Sequence, residues 1–261
     1  MSPITFYRPV VPSQSVDIAL TFSALHYLHA RPQPPEQPLE QPPTQTLSQP
    51  NEELQAASAH ADLVNFLRLR ASEVKPGGTL LANLLTARQD TNNVSNIAVV
   101  RKALMGVVQT GLLSPTAVKN MRPAIYTREF EHVEAALVEV GDVWEKVACW
   151  CDWVPLPGFE EVRKARESGD VEAHEKASRQ WAKVWAGFFV SITGGSLIQA
   201  MRVEKFGEEA YNQSSDELPE ERALLDQIES KLAEAFFEDA RDVELRFDYT
   251  FFCLKRKAQI R

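Results

Sequence analysis

Two apolar strands separated by one amphipathic helix dictate most of what this chain can become. Val16, Ile18 and Leu20 alternate with Asp17 and Ala19, and Thr21 and Phe22 continue the run, a pattern that predicts a short, largely buried strand. Residues 51–75 predict a helix with Leu63, Phe66, Leu67 and Val74 on one face. Arg68, Arg70 and Lys75 fall toward its last turns, where the helix dipole favours cations. Pro76-Gly77-Gly78 stops the helix, and the stretch from Thr79 to Leu85 predicts a second buried strand. Strand, helix and strand in that order require a crossover and a parallel pair, hence an open α/β sheet. Ligands of such sheets bind beyond the carboxyl ends of the strands. Ser23, His26 and Tyr27 therefore lie where a pocket is expected.

Between the two strands, residues 31–52 are rich in Pro and Gln, which leaves neither helix nor sheet available and predicts a flexible or polyproline-like surface loop. Its PQPP and PEQP runs approach the form that SH3-type partners read, although a plain insertion explains them as well. Further on, Ser95 is a plausible cap for a helix carrying Ile97, Val100, Leu104 and Val107, which Gly111 ends. Ser114-Pro115 opens a short helix, and Thr127 caps another whose inner side is Phe130, Val133, Leu137 and Val140. VWEKVACWCDWV predicts a strand. Trp181, Trp185, Phe188, Phe189 and Ile192 trace a strong helix that Gly194-Gly195 is expected to loosen or break. A charge-rich helix with Leu225, Ile228, Leu232 and Phe236 inward precedes the last strand, LRFDYTFFCLKRK.

Apolar residues make up 44% of the 261, enough for a packed soluble fold. The net charge of −8 argues against nucleic-acid binding. Three cysteines, without zinc-finger spacing, argue against a disulfide framework and for free thiols in a reducing compartment. No signal segment and no apolar run near eighteen residues is evident, so the expectation is a cytoplasmic chain without a membrane span. The acidic residues and histidines form no metal-binding or hydrolytic arrangement, and no catalytic side chain is singled out. His26 read alone is either a pocket group or an ordinary helix-start histidine bonded to a backbone carbonyl, and Tyr27 is either a pocket group or core.

TFYRPVVPSQSVD and LTFSALHYLHARP resemble S-F-Y-x-R-L-F-P-x-x-S-x-D and S-S-x-S-L-H-W-L-S-x-x-P of the plant-type SABATH carboxyl methyltransferases. ADLVNFLRLRASEVKPGGTLLANLL and MRPAIYTREFEHV are similar to two later segments of that family, the second departing at Thr127-Arg128, where Pro-Ser is usual. The likeness runs from Thr5 to Lys257.

The resemblance implies an α/β fold: a partial class I methyltransferase (Rossmann-like) sheet with helices on both faces and a helical cap. It divides the chain into a core at 1–94 with the Pro-rich insertion, a cap at 95–122, and the rest of the core at 123–261 with a second cap segment near 155–210. It also implies S-adenosylmethionine (SAM) as cofactor and a small carboxylic acid or related natural product as methyl acceptor. Thr5 and Phe6 would lie near the adenosine, and Thr21 and Phe22 would also touch the cofactor. Ser23, His26, Tyr27 and Ile97 would line the substrate pocket, with the Tyr27 O–H replacing a family Trp N–H as donor to the carboxylate.

In that family the Gly-rich turn and the acidic residue that hold SAM precede the F-Y-x-R segment. Only five residues precede Phe6 here, so the expectation is an incomplete cofactor site. It is also an opening strand with a bare edge and two apolar faces, which a homodimer or another partner would cover. The alternative expectation is a truncated, non-methylating binding or partner protein derived from the same family.

Overall fold

The computed structural model describes residues 6–28, 49–87, 96–121, 126–207, 219–244 and 246–258. In chain order the elements are β1 (Val16–Thr21), α1 (Gln49–Glu73), β2 (Val74–Ala87), α2 (Asn96–Gln109), α3 (Pro115–Asn120) and β3 (Arg128–Glu129). They continue with α4 (Phe130–Glu139), β4 (Trp144–Pro155), α5 (Phe159–Ser168), α6 (Val171–Phe206), α7 (Pro219–Ala240) and β5 (Arg246–Arg256). They form two compact units, one from Met1–Asp90, Ala124–Val154 and Phe247–Arg261, the other from Thr91–Pro123 and Pro155–Arg246.

The first unit is built on a sheet of order β1-β2-β5-β4, with β3 pairing β2 off that path. β1 and β2 run parallel, as the intervening helix requires. β5 lies antiparallel to β2, with Leu80 opposite Leu254 and Ala82 opposite Phe252. Strand side chains alternate between faces, so Leu80, Ala82, Leu84, Phe252 and Leu254 share one side and are sealed there. Leu63, Phe66 and Leu67 of α1 and Val133, Ala136 and Leu137 of α4 complete that core. Trp144 closes it, its indole N–H donating to the Leu67 carbonyl at 2.9 Å.

The opening strand is less buried than its sequence pattern suggested. β1 is the edge of the sheet, and Ile18, Leu20 and Phe22 are 63%, 61% and 57% exposed. Its inward side is supplied by Ala19, packed against the core. The difference arises because alternation assigns a face but does not provide a cover for it.

The turn before the second strand also differs from expectation. Pro76-Gly77-Gly78 ends no helix; α1 stops at Glu73 and the three residues lie inside β2. The pairing with β1 slips there, from Val16 opposite Val74 to Ile18 opposite Thr79. Gly77 takes φ +81°, and a Cβ on Gly78 would stand 2.8 Å from the Asp17 carbonyl oxygen. Both glycines therefore serve a bulge.

In the second unit, α6 packs against α5, α3 and α7. Trp185 stacks on Phe236 at 4.0 Å between ring centres. Gly194-Gly195 does not break α6, which runs unbroken for 36 residues. A Cβ on Gly194 would meet Leu225 at 3.3 Å, so the missing side chain lets α7 approach closely. By length and composition α6 could cross a membrane; here Trp181, Trp185, Phe189 and Leu197 are buried inside its unit. Ser114 caps α3 through Ala117 N–H, as expected. Thr127 does not cap α4: that helix starts after Glu129, because Arg128–Glu129 pair with Thr86–Ala87 of β2. The expected cap Ser95 lies outside the described residues.

Candidate functional site

The loop after β1 is held by its own backbone carbonyls. Leu25 O accepts from the Arg128 guanidinium at 2.5 Å. His26 O accepts from the Tyr126 N–H at 2.8 Å. Tyr27 O accepts from the Tyr7 hydroxyl at 2.6 Å. Three successive carbonyls are thus satisfied by groups distant in sequence, which fixes the two side chains between them.

Arg128 is the pivot. It is 1% exposed and also donates to Ala59 O of α1, at 2.7 Å from Nη2. Its burial lowers its pKa, while Tyr7, Asp62 and Tyr126 oppose that shift. Burial, with Asp62 adding to it, pushes the Tyr7 phenol up to about 12, so that it stays a donor. Burial and then the neighbouring Arg128 charge push the His26 ring down to about 4. His26 is 5% exposed, its Nδ1 has no hydrogen-bond partner, and its ring lies 4.5 Å from that of Tyr27. At neutral pH this corner therefore holds a neutral imidazole beside a buried cation.

The segment around Phe6 is drawn to the same corner. Arg70 donates to Phe6 O at 3.2 Å and to Arg8 O at 2.9 Å, and it pairs with buried Glu73. Glu73 in turn accepts from the Val10 N–H at 2.6 Å. Phe6 meets Phe66 of α1 edge-on at 6.1 Å and Tyr7 at 4.5 Å.

Of the residues singled out in the sequence, the fold gathers Phe6, His26 and Tyr27 around Tyr7 and Arg128. Thr21 is half-buried at the end of β1, and Phe22 and Ser23 are exposed beyond it. Thr5 lies outside the described residues, and Ile97 sits in α2 with its side chain outside them. Sequence reasoning missed Tyr7 and Asn83, and saw Arg128 only as a departure from a family pattern. The signal at Arg128 was present: an arginine between a strand and an apolar helix face needs a buried acceptor set or solvent.

Phe6, Thr21 and Phe22 are the described residues that the resemblance would set against SAM. Phe22 exposes a flat ring at the carboxyl end of the edge strand, with Thr21 beside it. The paired glycines of β2 are committed to the bulge at the opposite end of that strand and are not available to cradle a ligand.

Comparisons with known proteins give the family and the fold. The SAM dependent carboxyl methyltransferase family model matches residues 1–148. O-methyltransferase acrG of Aspergillus aculeatus is 31% identical over 77% of this chain and 54% of its own length. Methyltransferase FUS9 of Gibberella fujikuroi is 28% identical over 98% of this chain and 66% of its own length. Among solved structures, loganic acid methyltransferase with SAH covers 99% of this chain and 66% of its own, with a TM-score of 0.55 and 17% identity. That likeness shows a class I methyltransferase fold. The chain spans between about half and two thirds of the length of these curated relatives.

Proposed function

Because the chain belongs to the SAM-dependent carboxyl methyltransferase family, we propose that it supplies the acceptor-holding side of a site that methylates a small carboxylic acid. The observation that carries this reading is the pinned loop at Leu25–Tyr27, which presents His26 and Tyr27 at the carboxyl end of β1. SAM supplies a methyl group on a sulfonium, which a carboxylate oxygen accepts as the carbon–sulfur bond breaks, with no proton to move. The side chains then have to align the acceptor and exclude water, and alignment alone is worth roughly 7–11 kcal/mol of barrier. The Tyr27 phenol donates to the acceptor carboxylate. Neutral His26 packs beside it, and the Arg128 charge behind both favours an anion there. Phe6, Thr21 and Phe22 form the wall toward the cofactor.

Ile18, Leu20 and Phe22 lie on an open strand edge that invites a further polypeptide surface. A second copy or another partner covers it in this reading. Light scattering across a concentration series checks this: a monomer at every concentration, alone and in cell extract, contradicts it.

The activity is tested by incubating the protein with isotopically labelled SAM and a set of aromatic and aliphatic carboxylic acids, then detecting methyl esters by mass spectrometry. Labelled ester from at least one acid is the expected result. No ester from any acid, together with no binding of S-adenosylhomocysteine, would sink the reading.

A further inference from the structure

Three strands bring a second polar group to the carboxyl end of β1. Ser23 follows β1, Asn83 lies in β2, and Tyr249 lies near the start of β5, two residues before Phe251, which faces Asn83 across the ladder. Ser23 takes φ +52°, a left-handed conformation that a residue with a Cβ holds only when its surroundings compensate. The compensation is visible: the side-chain oxygen of Asn83, itself 7% exposed, accepts the Ser23 N–H at 2.7 Å.

Fixed in this way, Ser23 donates its hydroxyl to the Tyr249 phenolic oxygen at 3.2 Å. The phenol is then an acceptor toward Ser23, and its own proton is free to be donated outward. Beyond Tyr249 the face is aromatic. Its ring centre is 6.1 Å from that of Phe251, which stacks on Trp150 at 5.4 Å with 13° between planes. Trp150 remains 48% exposed. A row of ring faces ending in one free donor suits a flat apolar body with an anionic end.

We propose that Tyr249 is an acceptor-binding residue: its phenolic hydrogen is donated to one carboxylate oxygen of a flat carboxylic acid lying along Phe251 and Trp150. Ser23, held by Asn83, is the positioning residue that fixes the phenol. This rests on the carboxyl-methylation reading and extends it to a residue on the last strand.

The test titrates the full chain by calorimetry with benzoate, with benzamide as the uncharged match, and separately with S-adenosylhomocysteine. Tyr249→Phe keeps the ring and removes only the hydroxyl, and it weakens benzoate binding about tenfold or more. Benzamide and S-adenosylhomocysteine binding change little. Ser23→Gly supplies the second variant: glycine accepts the positive φ without strain, so the fold is kept or strengthened, while benzoate binding falls. A purely structural Ser23 would give a variant that is at least as stable and binds as before.

Equal benzoate affinity in wild type and Tyr249→Phe overturns the proposal, as does no benzoate binding by the wild type. Absent S-adenosylhomocysteine binding counts against the methyltransferase reading alone, and the benzoate comparison still decides Tyr249.

Discussion

On one side of the sheet, Leu80, Leu84, Phe252 and Leu254 are sealed under α1 and α4; on the other, Ile18 and Leu20 stand more than half exposed. Both sides are written in the same apolar alphabet. The sealed side is a finished core, with Trp144 and Arg128 each tied to a backbone carbonyl of α1. The open side carries the aromatic row and the strand edge. The contrast teaches that a hydrophobic strand face marks a place for a partner surface, and that the partner need not belong to the same stretch of chain.

Paired truncations break this contrast most directly. Leu254→Ala on the sealed side is expected to cost about 2–5 kcal/mol, whereas Leu20→Ala on the open side costs about 0.5 kcal/mol or less. Urea unfolding of the two variants measures the difference, and equal losses would show that Leu20 is covered in solution.

Acid probes the sealed side from within. The folded His26 ring is held near 4 against an ordinary 6.5, so below 6.5 the unfolded chain binds a proton that the folded chain refuses. Its contribution is complete above pH 6.5 and is lost as pH falls toward 4, on the order of 3 kcal/mol in all. His26→Gln should flatten that part of the stability–pH curve; an unchanged slope would place its origin elsewhere.

A loss of about 1–3 kcal/mol is expected from Trp144→Phe, which removes the hydrogen bond to Leu67 O and leaves part of the indole's space in the core unfilled. Thermal unfolding reads it. The least change in folding energy belongs to Leu20→Lys, which charges the edge and should lower self-association in light scattering while leaving unfolding within about 0.5 kcal/mol.

Much of the sealed side was legible in the chain. The parallel pairing of β1 and β2 followed from one helix between two apolar runs, and the inward faces of α1, α4 and α7 followed from helical spacing. The bulge at Pro76-Gly77-Gly78 was not legible, because the same residues that stop a helix also bend a strand. Gly194-Gly195 misled in the opposite direction: close packing against Leu225 offsets the intrinsic cost of glycine in a helix.

At the site, His26 and Tyr27 were visible from their place after a strand. What holds them was hidden, since Tyr7, Tyr126 and Arg128 reach them across 20 to 103 residues of chain. Ser23 was singled out as well, but its tie to Tyr249 spans 226 residues and leaves no local pattern. Helix and strand periodicity reports which way a residue faces; it does not report which other residue faces it.

Tyr27→Phe gives the sharpest measurement of the central claim, that this loop grips the methyl acceptor. With labelled SAM and a carboxylic acid that the wild type methylates, kcat/KM should fall about tenfold or more while the unfolding free energy stays within about 1 kcal/mol. Wild-type kinetics in that variant, with the protein folded, would contradict the account.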